Sequence, residues 1–425
     1  MTAPTEPRTR ARAAEIAAAL VPHDGGRGGR REGNAPPPQR PDATLAILDI
    51  TKYFGSTTGG IRTYLLEKAR YVSERPTLRQ LMVLPATRAE RTEIDGVRCY
   101  WLRGPAIPFQ HPYRFLVAPR ALERILQHEH PDLIEVGSPF IVPWMTRWAD
   151  RHLRIPMVWF YHGNIPRVIA PHPARATAGR RQLAELGWRY VRRVSRLFKA
   201  TFVGSEFAAH DLESRGVANV VRVPLGVDLE LFSPDRRERS AQVRRREGWP
   251  AGPLAIHVGR LAGEKELDIV LRAWPEVERR TGAALVVVGA GPSEQRYRRM
   301  ARGRVFWRHF EPDRDVLADL LAAADLYVAP CPIETFGLAA LEALASGVPV
   351  LSAGTGGVAE KVIASGAGAL YPPGDIAGCA AQAVMLFGAD LRALGDRGRT
   401  YAERHHSWTT ALDAIFEEYR RVLLR

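Results

Sequence analysis

Short apolar runs alternate with longer segments of helical spacing along most of the chain. The apolar runs lie at residues 45–50, 81–84, 132–136, 156–161, 254–259, 284–289, 325–329 and 348–351. Runs of this length are too short for helices, and they are typical of strands buried on both faces of a parallel sheet. Segments between them, such as 61–74 and 114–128, have the spacing of helices. The pattern therefore predicts an α/β protein built from strand–helix repeats.

The length of the chain indicates more than one domain. At 425 residues it exceeds the size at which single cores stop growing. A charged stretch at 236–247 separates two series of repeats, and the start of the chain is rich in Pro, Gly and Arg, a composition typical of disorder. We therefore predict a disordered tail at 1–41, a first domain at 42–235, a second domain at 236–405 and a terminal amphipathic helix at 406–425.

Cysteine content and hydropathy favour a cytoplasmic protein. Cys99, Cys331 and Cys379 are far apart and lack the paired spacing of a disulfide framework or a zinc cluster. No apolar run approaches the length of a membrane span, and the apolar piece at 16–21 is too short for a convincing signal peptide.

The formal net charge of +14 is compatible with several classes of binding partner. Such an excess is compatible with nucleic acid, anionic lipid or phosphate-rich ligands. The sequence contains no recognisable nucleic-acid module, so we expect no nucleic acid partner. The basic segment 180–199 also carries aromatic residues and could lie peripherally on the inner, anionic face of the cell membrane, although an ordinary packed surface helix explains it more simply.

The stretch from 329 to 360 contains the strongest chemical signal. A strand ends at Ala329, a loop holds Glu334, and a strong helix former follows at 338–345. The free N–H groups of Phe336, Gly337 and Leu338 would face a phosphate at the start of that helix, where the helix dipole favours an anion.

Two carboxylates, Glu334 and Glu342, bracket this predicted phosphate site. Carboxylates repel phosphate but accept hydrogen bonds from sugar hydroxyls. The arrangement therefore indicates a ligand with a diphosphate between two sugars, which is the chemistry of a nucleotide sugar. The alternative is a buried strand–helix unit with solvated glutamates.

A second cationic signal follows the strand at 254–259. Arg260 and Lys265 come directly after Gly259, where they could clamp a diphosphate. Gly289 ends the next strand in the same way. Ordinary solvated charges are the alternative interpretation.

Together these motifs resemble the signature of glycosyltransferase family 4, the retaining nucleotide-sugar transferases of the GT-B fold. The resemblance rests on the paired glutamates with Phe336-Gly337 between them, on Gly347-Val-Pro-Val after them, and on Val258-Gly-Arg-Leu with Glu264-Lys. It covers residues 45–425 and implies two Rossmann-like domains facing each other across a cleft. It also implies that the last helix crosses back to the first domain.

The resemblance implies roles for individual residues. Arg260 and Lys265 would stabilise the leaving nucleoside diphosphate, while His162 and Glu334 would orient the sugar; these four are the catalytic candidates. The donor-binding candidates are Gly59, Gly60, Gly259, Arg260, Lys265, Gly289, His309, Glu334, Phe336, Gly337, Leu338 and Glu342. A tight turn at the Gly-Gly pair and a structural loop histidine remain open alternatives.

Two departures from the family pattern bear on donor choice. Glu266 and His309 stand where glycine is usual. The Asp313-Arg-Asp315 sequence has the spacing of a metal motif, but helix capping explains it better. We therefore predict no metal and no cofactor.

Cleavage of a sugar–phosphate bond builds negative charge on the diphosphate, which cationic side chains and the helix start would stabilise. The resemblance implies retention of configuration, so no protein nucleophile is named. We expect transfer of a hexose to a glycolipid or glycan acceptor, with mannose from GDP-mannose favoured over glucose or a UDP-sugar. The alternatives are a nucleotide-sugar epimerase and a non-catalytic phosphate- or nucleic-acid-binding protein.

Overall fold

The computed structural model describes residues 45–55, 59–94, 97–108, 113–170 and 176–425. The predicted tail at 1–41 lies outside the described residues. Within them the chain forms two separate sheets, one of eight strands and one of six. The predicted α/β class is confirmed.

The first sheet occupies the first half of the chain. Its strands are β1 (Leu45–Ile50), β2 (Leu78–Ala86), β3 (Glu90–Ile94), β4 (Val97–Arg103), β5 (Leu133–Val136), β6 (Met157–Phe160), β7 (Ala200–Val203) and β8 (Val220–Arg222). They are ordered β3-β4-β2-β1-β5-β6-β7-β8. The β3–β4 pair is antiparallel at this edge, a hairpin that the sequence pattern did not predict, whereas the other pairs are parallel.

Helices cover both faces of the first sheet. They are α1 (Gly60–Ser73), α2 (Pro119–Glu129), α3 (Ile141–Ala149), α4 (Ile165–Ile169), α5 (Ala178–Ser195) and α6 (Glu206–Glu213). The helix predicted at 114–128 was wrong at its start. Proline disfavours helical geometry in the residue before it but fits the first helical position, so α2 begins at Pro119.

The second sheet is entirely parallel. Its strands are β9 (Leu254–Val258), β10 (Ala284–Val288), β11 (Val305–Arg308), β12 (Leu326–Ala329), β13 (Val350–Ala353) and β14 (Gly368–Tyr371), in the order β11-β10-β9-β12-β13-β14. Each is almost completely apolar, as expected for a sheet covered on both faces.

The remaining helices follow in chain order. They are α7 (Ser240–Glu247), α8 (Leu267–Thr281), α9 (Glu294–Met300), α10 (Arg314–Ala322), α11 (Leu338–Ala345), α12 (Gly356–Ser365), α13 (Ile376–Phe387), α14 (Leu391–His405) and α15 (Trp408–Leu423). Two short 3₁₀ helices lie at Pro234–Arg239 and Gly263–Lys265.

The charged stretch predicted as a linker is helical and packs on the second sheet's helices. Arg236 pairs with Asp319 at 2.6 Å, and Arg244 pairs with Asp325 at 2.9 Å. The domain limits themselves stay a prediction.

Helix α15 crosses back to the first sheet, as predicted. It starts against the segment after β8, where Val227 bridges Ser407. Farther along, the Tyr419 hydroxyl accepts from Lys68 Nζ at 2.7 Å, and Lys68 is also 2.7 Å from Asp49 Oδ1. Since Lys68 is fully buried, this bond anchors the last helix inside the first sheet's core.

Among the described residues, no single helix is both long and apolar enough to span a bilayer. Helices α13 and α14, which meet at a bend of 100°, pass the same length and composition criterion only as a pair.

Candidate functional site

Glycines line the carboxyl ends of the central strands of the second sheet. Gly259 follows β9 and Gly289 follows β10, with a positive φ of +152° at Gly289. A Cβ added at Gly289 would lie 1.9 Å from the Gly259 carbonyl oxygen. Only glycine fits this close approach, and ligands of open parallel sheets bind at this edge.

The predicted phosphate-binding helix starts at the same edge. Helix α11 spans the predicted range, and Gly337 precedes it in a left-handed conformation with φ +82°. A Cβ there would lie 2.2 Å from Val358 Cγ2. The backbone therefore turns sharply before Leu338, which frees the first N–H groups of the helix.

Gly59 and Gly60, which lie between β1 and the body of α1, face the start of α11. A Cβ added at Gly60 would lie 3.7 Å from Leu338 Cδ2, whereas one at Gly59 would meet nothing within 4 Å. The structure therefore brings the Gly-Gly pair and the start of α11 together across the cleft between the two sheets.

Phe336 is buried, so its side chain is placed for packing. Its ring lies 3.0 Å from the position of a Cβ on Gly204, and Lys361 Nζ lies 3.5 Å above the ring centroid. Lys361 also donates to the Phe336 carbonyl at 2.7 Å. Burial lowers the pKa of Lys361 to about 7. Lys361 was not predicted from the sequence, although a lysine among the apolar positions of α12 indicates a buried charge.

Lys265 and Glu334 form an ion pair with Nζ 2.5 Å from Oε2. Burial alone would lower the pKa of Lys265, but Glu334 outweighs it and the pKa is raised. Burial alone would raise the pKa of Glu334, and Lys265 in turn holds it below its usual range. Both groups are thus charged at neutral pH, and an ammonium keeps further donors for a phosphate beyond its bond to the carboxylate.

Arg260 is held differently from Lys265. It pairs with Glu264, four residues farther along the loop, and its side chain is 55% exposed. Glu264 was not predicted as a site residue. The guanidinium is therefore positioned by a local carboxylate while it remains open to the cleft.

Glu342 is almost fully buried and pairs with Arg314 Nη1 at 2.8 Å. Burial raises the pKa of Glu342, and Arg314 opposes that shift. The predicted capping role of the Asp313 sequence is confirmed, because its side chain accepts from the N–H groups of Asp315 and Val316. Arg314 was not predicted as a site residue, because the segment around it has the pattern of a helix cap.

His162 follows β6 at the carboxyl edge of the first sheet. Its ring stacks on Phe160 at 4.2 Å between centroids, and its carbonyl accepts from the Thr335 hydroxyl at 2.8 Å. This bond joins the loop that holds His162 to the loop that holds Glu334. Burial, with a smaller effect of Lys68, lowers the pKa of His162 to about 3. The imidazole is therefore neutral at physiological pH.

His309 lies exposed directly after β11. Among the described residues, no group of three or more His, Cys, Asp or Glu is arranged to hold a metal ion. Independence from metal stays a prediction.

The fold defines the class of protein. Residues 58–231 match the family model described as Glycosyltransferase Family 4, and residues 252–388 match the model described as Glycosyl transferases group 1. A sucrose-phosphate synthase of Thermosynechococcus elongatus superposes with a TM-score of 0.70 over 89% of this chain and 99% of its own, at 21% identity. Anabaena HepE, solved with UDP and glucose, superposes with a TM-score of 0.67 over 88% and 99%, at 19% identity. The architecture is that of the GT-B glycosyltransferases.

Proteins of similar sequence place the chain more narrowly among the GT-B glycosyltransferases. A GDP-mannose-dependent alpha-(1-6)-phosphatidylinositol dimannoside mannosyltransferase of Mycobacterium tuberculosis is 33% identical over 78% of this chain and 86% of its own length. The corresponding monomannoside enzyme of Mycolicibacterium smegmatis is 30% identical over 86% and 95%. The sulfoquinovosyl transferase SQD2 of Arabidopsis thaliana is 27% identical over 80% and 66%. This chain belongs to glycosyltransferase family 4 and is a glycosyltransferase.

Proposed function

We propose that the protein transfers mannose from GDP-mannose to a membrane glycolipid whose head group is a mannosylated phosphatidylinositol. The observation that carries the proposal is the 33% identity to a mannosyltransferase of that specificity, which extends over 86% of that enzyme. The cleft supports it with cations beside glycines at the strand ends and with two carboxylates flanking the α11 start, the partly exposed Glu334 and the buried Glu342.

The donor diphosphate would lie at the start of α11. Lys265, Arg260 and the free N–H groups before Leu338 supply positive charge there, and Gly259, Gly289, Gly59 and Gly60 allow close approach of the backbone. These groups are strongest where water is excluded and negative charge develops. His309 would lie toward the nucleobase.

The carboxylates and the histidine would hold the sugars. Glu342 accepts from the ribose hydroxyls, while Glu334 and the neutral His162 hydrogen-bond the mannosyl group. In the reaction the bond between C1 and the diphosphate oxygen breaks, and its electron pair stays on that oxygen. The acceptor hydroxyl oxygen bonds to C1 on the same face, and its proton passes to the departing diphosphate. Configuration is thereby retained without a protein nucleophile or a metal.

A ligand panel tests the donor first. GDP, UDP, ADP and their sugars are added without metal, and the melting temperature is measured for the wild type and for Arg260→Ala. A shift with GDP and GDP-mannose that the variant weakens supports the proposal, because a ligand that binds only the folded state stabilises it. No shift with any nucleotide would contradict it.

Transfer is then measured with radiolabelled GDP-mannose and mannosylated phosphatidylinositol in detergent micelles. The expected product is a glycolipid with one more mannose in α linkage. Transfer from a UDP-sugar in place of GDP-mannose would contradict the donor assignment, while release of free sugar alone would contradict the acceptor assignment.

A further inference from the structure

Two of the helices that pack on the first sheet carry solvent-exposed apolar side chains. On α3 and the residue before it, the exposed side chains are Phe140 (43%), Ile141 (46%), Trp144 (36%) and Trp148 (42%). The aromatic residues repeat every four positions, which places them on one face of the helix. On α5, Leu183 and Leu186 are 53% and 57% exposed and lie three positions apart.

Hydrogen bonds join the two faces into one surface. The Tyr190 hydroxyl of α5 donates to the Phe140 carbonyl at 2.7 Å, and Trp144 Nε1 donates to the Tyr190 oxygen at 3.3 Å. We call this the α3–α5 surface and define it by Phe140, Ile141, Trp144, Trp148, Leu183, Leu186 and Tyr190.

Arginines border the α3–α5 surface. Arg193 lies 5.5 Å from the Trp144 ring centroid, and Arg151 lies 4.0 Å from that of Trp148. Arg189, Arg192, Arg193 and Arg196 line one surface depression with Gly216. None of these four arginines is ion-paired with a carboxylate that the structure describes. Arg151 pairs with Glu123 at 2.7 Å, whereas the exposed Trp144 lies beside the unpaired Arg193. This arrangement matches an interface that is apolar on one side and anionic on the other.

The surface continues to the mouth of the cleft. Lys52 Nζ lies 5.4 Å from the Phe140 ring and 4.9 Å from the ring of Tyr53. Tyr53 in turn packs edge-on against Tyr113, with centroids 5.3 Å apart, and the charge of Arg260 acts on both tyrosines. A lipid head group held at the α3–α5 surface would therefore lie beside the diphosphate-binding cations.

We propose that the α3–α5 surface docks on an anionic lipid bilayer, with its aromatic side chains in the head-group region and its arginines against lipid phosphates. The membrane-bound acceptor then enters the cleft past Phe140 and Lys52. The proposal rests on the proposed function for the identity of the acceptor, whereas docking itself needs only the surface.

Vesicle co-sedimentation tests docking without donor or acceptor chemistry. Phosphatidylcholine vesicles with and without phosphatidylinositol are compared for the wild type, Trp144→Ser/Trp148→Ser and Arg189→Ser/Arg193→Ser. The matched control is Ile363→Ser/Met385→Ser, which removes exposed apolar side chains from helices of the second sheet. A cooperative thermal unfolding transition and an unchanged far-ultraviolet circular dichroism spectrum verify that every variant is folded.

The wild type and the control should bind phosphatidylinositol vesicles at least tenfold more tightly than neutral ones. Loss of two arginines should weaken this binding about 25-fold, since each cation near an anionic surface contributes about fivefold. The tryptophan variant should bind at least tenfold more weakly. Equal binding by the tryptophan variant and the wild type would overturn the proposal. So would tight binding to RNA without binding to vesicles, or a wild-type dimer that the tryptophan change converts to a monomer.

An activity measurement separates docking from catalysis. With the acceptor in vesicles the tryptophan variant should lose transfer, whereas with a short-chain, water-soluble acceptor it should equal the wild type. Equal loss with both acceptors would overturn the docking role. Vesicle binding without any mannosyl transfer would refute the proposed function and leave docking intact.

Discussion

The cleft has two walls, one formed by the first sheet and its loops and the other by the second sheet and its loops. The two walls differ in whether their cations are ion-paired. On the wall of the second sheet, Lys265 pairs with Glu334, Arg314 with Glu342, and Arg260 with Glu264. On the wall of the first sheet, Lys52 and Arg62 have no ion-pair partner among the described carboxylates, and burial lowers the pKa of both. Arg314 lowers the pKa of Arg62 further.

This difference indicates a division of labour. The paired cations of the second wall are fixed before a ligand arrives, which suits a diphosphate whose geometry is the same in every turnover. The cations of the first wall remain available to an anionic group of the acceptor, and the adjoining α3–α5 surface is exposed. Under the proposed function, the second wall would hold the donor, and the first would hold an acceptor presented at a surface.

Replacing Lys265 should give the largest effect. The Lys265→Met variant removes a cation from the proposed diphosphate site and leaves Glu334 without its charge partner. We expect kcat to fall by about 10² to 10³, as when one preorganised donor to a developing anion is lost. Steady-state transfer assays measure this, with the exposed Arg279→Met as control. A loss below fivefold would show that the paired cation is not needed for departure of the diphosphate.

A glycine-to-alanine substitution should change the free energy of unfolding by different amounts on the two walls. Gly337→Ala must hold alanine at positive φ against Val358, and we expect it to lose about 2–4 kcal/mol of unfolding free energy. Gly60→Ala lies at the first position of α1, where alanine favours the helix and its Cβ would make only an ordinary 3.7 Å contact with Leu338 Cδ2, so its change should be within about 0.5 kcal/mol. Denaturant unfolding measures both. Equal losses would mean that the turn before α11 is not constrained as the structure shows.

His162 should contribute to the loss of folding stability at acidic pH. Its folded-state pKa of about 3 lies below the ordinary value of 6.5, so the unfolded chain binds its proton first as pH falls. Stability is thus lost progressively from pH 6.5 toward 3, and His162→Gln should flatten that loss. Unfolding at pH 7 and pH 5 tests it, with the exposed His309→Gln as control. A slope unchanged in His162→Gln would mean that the imidazole is not buried neutral.

Replacing Lys52 should give the smallest effect. In Lys52→Ala we expect KM for a phosphate-bearing acceptor to rise by about three- to tenfold, equivalent to about one ordinary hydrogen bond, while the GDP-induced melting shift is unchanged. A weaker response to GDP would place Lys52 on the donor side and remove the division between the walls.

Prediction from sequence succeeded where chemistry is local. The α11 helix with the turn before it, and separately the glycine turn after β9, each consist of consecutive residues, so local patterns predicted them, while the phosphate site expected there stays a prediction. Partners distant in the chain were missed. Arg314 reaches Glu342 from α10, and Thr335 reaches the His162 carbonyl from the other sheet, contacts that no local pattern specifies.

The structure also explains one departure from the family pattern that the sequence alone does not. Glu266, which stands where glycine is usual, has φ +50° at the start of α8. The usual glycine is therefore explained by a left-handed backbone, which costs a glutamate about 1–2 kcal/mol.

The sequence by itself determined the α/β class, the family and the helix start and glycine turns at which the donor site is proposed, because alternating apolar runs and short motifs encode strands, turns and helix starts locally. Tertiary structure decided which charges are paired, which histidine is neutral and which aromatic side chains remain exposed on α3 and α5. Burial and pairing depend on what packs against a side chain from distant parts of the chain, and a linear pattern does not contain that information.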